Sequence, residues 1–124
     1  MESTVFPRDH LRACILLVLA EGPTHGYDLP ALLEPLGLGA SDRGFVYRTL
    51  RTMDAEGLVL SGWDTSPVGP SRRTYRVTPQ GARWAASAST GVREADQLMA
   101  TWLARYRRAV RRGMHVVTEV PAAS

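Results

Sequence analysis

Apolar residues recur along the first half of the chain at intervals of three and four. Over residues 8–21, Leu11, Ile15, Val18 and Leu19 fall on one helical face, with Cys14 beside them. "EGPT" breaks this run. A second helix is predicted from Thr24, with Thr24 as N-cap and Tyr27, Leu29, Leu32, Leu33 and Leu36 as apolar positions. Pro30 lies in its first two turns, where it shortens or bends a helix. Ser41 or Asp42 caps a third helix, whose inner stripe is Val46, Leu50 and Met53 and whose stop is Gly57.

The pattern then changes from helical to alternating. "LVLSGW" and "RRTYRVT" predict two strands joined by the turn-rich "DTSPVGPS". In the second strand Tyr75 and Val77 share the face that packs on the helices, and Arg72, Thr74 and Arg76 share the wet one. Thr78 caps a further helix with Pro79 at its first position. Three helices closed by a small β-hairpin make a mainly α fold, a winged helix-turn-helix; the hairpin is the wing.

The C-terminal region carries a second pattern. Val92, Ala95, Met99, Trp102, Tyr106 and Ala109 are separated alternately by three and four residues, a heptad seam. A lone helix cannot bury such a seam, so either the chain's own core or a second chain must cover it. A domain this small leaves it little core to use, which predicts a two-fold homodimer through a long C-terminal helix. The expected organisation is a DNA-binding domain over residues 1–78, a dimerisation helix over 79–113 with a kink or break at Gly91, and a loose tail over 114–124.

Length and composition narrow the function. The chain has 124 residues, 44% of them hydrophobic, enough for one compact domain with an appended helix. No stretch is long enough to span a membrane and no leader pattern is present, so a cytoplasmic protein is expected. The single cysteine, Cys14, lies inside an apolar helix and reads as an inert buried thiol. The net charge is only +3, yet every basic residue is Arg and none is Lys. A GC-rich genome produces the same bias, so position says more than composition. Arg43, Arg48 and Arg51 lie on the outer side of the third helix. With Arg72, Arg73 and Arg76 they face only Asp54, Glu56 and Asp64. An Arg-bearing helix beside an Arg-bearing hairpin suits double-stranded DNA, with the helix in the major groove and the wing on the flanking backbone or minor groove.

Three motifs also carry a family resemblance. "ILLVLAEGPTHGYDL", "VYRTLRTMDAEGLV" and "GPSRRTYRVTPQG" together resemble the PadR-like transcriptional regulators, over about residues 11–81. The short C-terminus is similar to the subgroup with one long dimerisation helix. The resemblance implies a homodimeric repressor on a palindromic operator, often released by a small aromatic or hydrophobic effector. Tyr47 matches the recognition-helix tyrosine, a phosphate donor, and Arg72 and Arg73 match the wing's basic pair. His25, Gly26 and Tyr27 match a first-turn motif read here as structural: Gly26 lets helices approach, and Tyr27 fills space with its hydroxyl satisfied locally. Phe45 and Arg48 depart from the small hydroxyl residue and proline common in the family. Phe45 meets a thymine methyl or simply packs, and the operator sequence does not transfer.

Rival chemistries find little support. His10, His25 and His115 lack metal-ligand spacing, no nucleophile motif frames a serine, and "GLGASDRG" follows no strand. No enzyme activity, metal or cofactor is expected. The alternative is a winged helix that has lost DNA binding and acts as a protein-interaction module, with Phe45 as an anchor. Trp84, Met99, Trp102 and Tyr106 are candidates to line an effector cavity at the dimer seam, or are plain core.

Overall fold

The computed structural model describes residues 10–38, 42–64, 69 and 71–118. Its elements in chain order are α1 (His10–Ala20), β1 (Thr24–His25), a 3-10 turn (Gly26–Asp28), α2 (Leu29–Leu33), a second 3-10 turn (Glu34–Leu36), α3 (Arg43–Ala55), β2 (Val59–Asp64), β3 (Arg72–Val77) and α4 (Pro79–Arg111). This is the mainly α architecture expected of a winged helix. Ser41 and most of the "DTSPVGPS" wing tip lie outside the described residues.

The predicted apolar stripes meet in one core. Val46, Leu50 and Met53 of α3 are completely buried, against Ile15, Leu16 and Leu19 of α1, Leu29 and Leu33 of α2, and Val59 and Tyr75 of the sheet. Burial also pushes the Cys14 thiol up, which keeps it protonated and unreactive.

Two expectations about the second helix are corrected. Thr24 is not an N-cap: its hydroxyl donates to the Gly22 carbonyl at 3.0 Å, and Thr24 and His25 are extended. They pair antiparallel with β3, Thr24 opposite Tyr75 and His25 opposite Thr74, giving a three-stranded sheet in the order β1-β3-β2. The helix therefore starts at Leu29, lasts five residues, and has Pro30 in its first turn. A proline there loses no helical hydrogen bond, since its N–H would be an orphan anyway.

The wing joins α4 at a tight corner. Thr78 sends its hydroxyl toward the carbonyls of Gly57 (2.6 Å) and Leu58 (3.0 Å) and accepts from the Gly81 N–H at 3.0 Å. It thus caps α4 and ties it to the end of α3 at once. Gly81 is packed so closely that a Cβ there would overlap the Leu58 carbonyl and press on Val77.

From this corner α4 runs 33 residues without interruption, about 50 Å at 1.5 Å per residue. The helix is not broken at Gly91. Gly91 is buried, and α4 packs against α1 and β3, so packing outweighs the roughly 1 kcal/mol helix penalty of a glycine. One face of α4 is apolar throughout. Its N-terminal part, including Trp84 and Ala85, is packed against the core. Beyond Ala95 every described residue is exposed, and Leu98, Met99, Trp102, Leu103, Tyr106 and Val110 have no covering.

Two outcomes are expected. Gly81→Ala should destabilise the fold by about 1–3 kcal/mol or more, because the Leu58 backbone has no room to retreat; urea unfolding measures it. The second concerns pH. Arg12 on α1 forms a bridge with Glu56 at the end of α3, and its hydrogen bond pulls the Glu56 carboxyl below the usual range. A lowered carboxylate contributes above its unfolded pKa and stops contributing as pH falls through its folded value. Both side chains reach solvent, so Glu56→Gln should cost less than about 1 kcal/mol at neutral pH and nothing at strongly acid pH. Unfolding curves at the two pH values read the difference.

Candidate nucleic-acid interface

The third helix presents its charges because its cap and inner stripe fix its rotation. The Asp42 carboxylate accepts from the Gly44 N–H at 2.9 Å and starts the helix. With Val46, Leu50 and Met53 turned inward, the 3.6-residue period turns Gly44, Arg48 and Arg51 outward. Arg48 is well exposed and only grazes Asp42, at 4.0 Å. Phe45 lies on the flank toward α1, half exposed, and with Leu11, Arg12, Arg48, Thr49 and Thr52 borders a shallow groove of about 230 Å³. Tyr47 lies on the other flank, toward the wing, and its hydroxyl accepts a long hydrogen bond from Arg43 at 3.4 Å.

The two wing arginines stand on opposite faces of β3. Arg73 shares the inner face with Tyr75 and lies across from Trp63. Its guanidinium sits over the Trp63 ring at 5.1 Å and donates to the Ser61 hydroxyl at 3.0 Å, which donates in turn to Asp54 of α3 at 2.6 Å. A polar chain thus ties the wing to the third helix. Arg72 shares the outer face with Thr74 and lies opposite Asp64. Asp64 is engaged by His25, whose Nε2 is 3.0 Å from its carboxylate, while His25 Nδ1 is 3.7 Å from Asp28.

The "HGYD" motif behaves differently from its sequence reading. Gly26 is indeed a close-packing glycine, but its neighbour is a ring: an added Cβ would stand 3.0 Å from Tyr75 Cε2. Tyr27 is not space-filling. It is 74% exposed, with the Arg43 guanidinium 5.5 Å above its ring. Tyr27, Tyr47, Arg72 and Arg73, with His25 and Ser71, border an open groove of about 520 Å³ between α3 and the wing.

The structure thus brings Tyr47, Arg72 and Arg73 around one groove, with Arg43 against two of its tyrosines, Tyr27 and Tyr47, and with Phe45 and Arg48 on the far flank of α3. The seam residues Met99, Trp102 and Tyr106 lie together on the uncovered part of α4, where Trp102 and Tyr106 stack nearly parallel at 5.2 Å. Trp84 is not with them. It packs on the core, about 27 Å back along the helix axis. Sequence reasoning misses Trp63, Ser61 and Asp54. Their grouping depends on strand register, which the alternation of apolar residues leaves open. Among the described residues no three His, Cys, Asp or Glu side chains could hold a metal ion. No helix among them is long and apolar enough to cross a membrane.

An arginine-bearing helix flanked by a wing is the arrangement of a winged-helix regulator of transcription. The family model of PadR-like transcriptional regulators matches residues 15–87. The chain belongs to that family, whose members are DNA-binding regulators and not enzymes. No curated protein matches it in sequence. Among solved structures it is similar to a PadR-like transcriptional regulator of Bacillus cereus, 24% identical with a TM-score of 0.70 over 77% of this chain and 93% of that one. It is similar to a PadR family regulator of Eggerthella lenta, 26% identical with a TM-score of 0.64, over 77% and 83% of the two chains. A conserved protein described as a potential transcriptional factor is 32% identical, with a TM-score of 0.67 over 82% and 90%.

Proposed function

We propose that the chain is a homodimeric repressor that works in the cytoplasm and reads an inverted-repeat operator. Residues 1–78 form the DNA-binding part and residues 79–113 the dimerisation helix. The observation that carries this reading is the division of α4: one apolar face runs its whole length, and the domain covers only the part before Ala95. The same face of a second copy is a natural cover for the rest, and a two-fold axis there pairs the two DNA-binding parts. Recognition helices about one DNA turn apart, ~34–36 Å, then meet successive major grooves. Arg48 and Arg51 are the base-reading candidates and Phe45 a contact to a thymine methyl; Arg43, Tyr47, Arg72 and Arg73 hold the backbone.

The stacked Trp102 and Tyr106, with Met99 beside them, support a planar aromatic or hydrophobic effector at the dimer seam. The position of Trp84 on its own core removes it from that site within one protomer.

Two experiments test this. Sedimentation equilibrium should find a dimer, and Trp102→Ala, removing a ring that is 62% exposed in the single chain, should weaken it by about 3–5 kcal/mol if the seam buries that ring. A monomeric wild type at micromolar concentration would refute the dimer. Second, replacing Arg72 and Arg73 with Ala should weaken operator and scrambled duplexes alike. It should also flatten the slope of log affinity against log salt by up to roughly 3.6 per dimer, about 0.9 for each phosphate that is no longer neutralised. Arg48→Ala should instead cost about 1–3 kcal/mol at one base position. A wild type indifferent to DNA at every salt concentration would favour the protein-interaction module.

A further inference from the structure

Tyr27 requires an explanation that packing does not give. It sits in the motif that holds the base of the wing, yet its ring is in solvent, 74% exposed. Its neighbours His25 and Gly26 have structural work: His25 engages Asp28 and Asp64, and Gly26 makes room for Tyr75. What Tyr27 does touch is Arg43, which in turn reaches the hydroxyl of Tyr47.

The charges around it are arranged for an anion. Arg72 lies directly opposite Asp64, the natural partner for its guanidinium. That carboxylate is taken by His25 at 3.0 Å, and Arg72 has no ion pair among the described residues. The groove it borders, about 520 Å³, is lined by three tyrosines, Tyr27, Tyr47 and the buried Tyr75, and by two arginines, with no carboxylate among the described residues that line it. Arg43 stands at the first residue of α3, where the helix dipole adds positive potential. Phenol and guanidinium donors around one groove, with the nearest carboxylates, Asp28 and Asp64, turned to His25, are the chemistry of phosphate recognition. A duplex that admits α3 to its major groove runs its backbone between α3 and the wing, over this groove.

We propose that the groove seats one DNA backbone phosphate per half-site, with Tyr27 a direct donor to it and the platform that orients Arg43, and Arg72 the charge that neutralises it. His25 acts as a positioning residue: by occupying Asp64 it leaves Arg72 available. The proposal rests on the DNA-binding reading above and is separable from it.

The test uses the full-length protein and an operator duplex selected by the wild type from a random-sequence pool. Single phosphates of that duplex are replaced in turn by uncharged methylphosphonates. One position per half-site should weaken wild-type binding and lose its effect in Tyr27→Phe and in Arg72→Ala. Tyr27→Phe should lower affinity about tenfold or more on operator and scrambled duplex alike, the range for a hydrogen bond to a charged group. It should leave the salt slope unchanged, because it removes no charge. Arg72→Ala should flatten the slope by about 0.9 per protomer. Since Tyr27 is exposed, the thermal unfolding of Tyr27→Phe should match the wild type. Failure of the wild type to select any duplex would refute the DNA-binding reading itself. A wild type that binds DNA, with a Tyr27→Phe variant of equal affinity and no methylphosphonate position coupled to Tyr27 or Arg72, would overturn the phosphate seat alone. Inorganic phosphate binding at this groove in NMR titrations without such coupling would overturn it too.

Discussion

The arrangement depends on the absence of one side chain. At Gly81 the start of α4 lies against the Leu58 carbonyl with no space for even a methyl group. Thr78 closes the same corner with its bonds to Gly57, Leu58 and Gly81. The end of α3, the start of β2 and the start of α4 therefore meet within a few residues. The recognition helix, the wing and the long helix take their relative directions from that meeting point. Gly57, at a φ of 82°, lets the chain turn out of α3 there without strain.

The wing is held to the body from both faces of the sheet. On the inner face Arg73, Ser61 and Asp54 form a polar chain to α3; on the outer face His25 of β1 reaches across to Asp64. This divides the arginine pair that the sequence presents as equivalent. Arg73 is pre-organised by a ring and a hydroxyl, so little side-chain freedom remains to be lost when it meets a partner. Arg72 has its charge uncommitted. Two adjacent residues of one type thus serve different purposes because a strand sends neighbours to opposite faces.

Much of this is legible in the sequence. The stripes of α1 and α3 are plain because burial imposes a period of 3.6 on long segments, and the α4 seam is plain for the same reason. The strand at Thr24–His25 is not: two residues carry no periodicity, and a threonine before an apolar run reads as a cap. Tyr27 misleads because an aromatic in phase with leucines is assigned to the core, and only the late start of α2 takes it out of that phase. Gly91 suggests a break because propensity is local, whereas the packing on α1 that overrides it is not. Trp63 and Asp54 become neighbours of Arg73 only through strand register and the placement of α3, neither of which a single sequence states.

A continuous helix held over its first half is also a lever. Trp102 stands seven residues beyond Ala95, where the cover ends, about 10 Å along the axis. At that radius a sideways shift of about 1 Å at the tryptophan corresponds to a tilt of about 5° where the helix leaves the core, by the same helical rise. The held half of α4 packs on α1 and β3 and meets Leu58 with no slack at Gly81, so the core and that corner are what resist such a tilt. The uncovered end of α4 and the corner that joins α3 to the wing thus belong to one unbroken element.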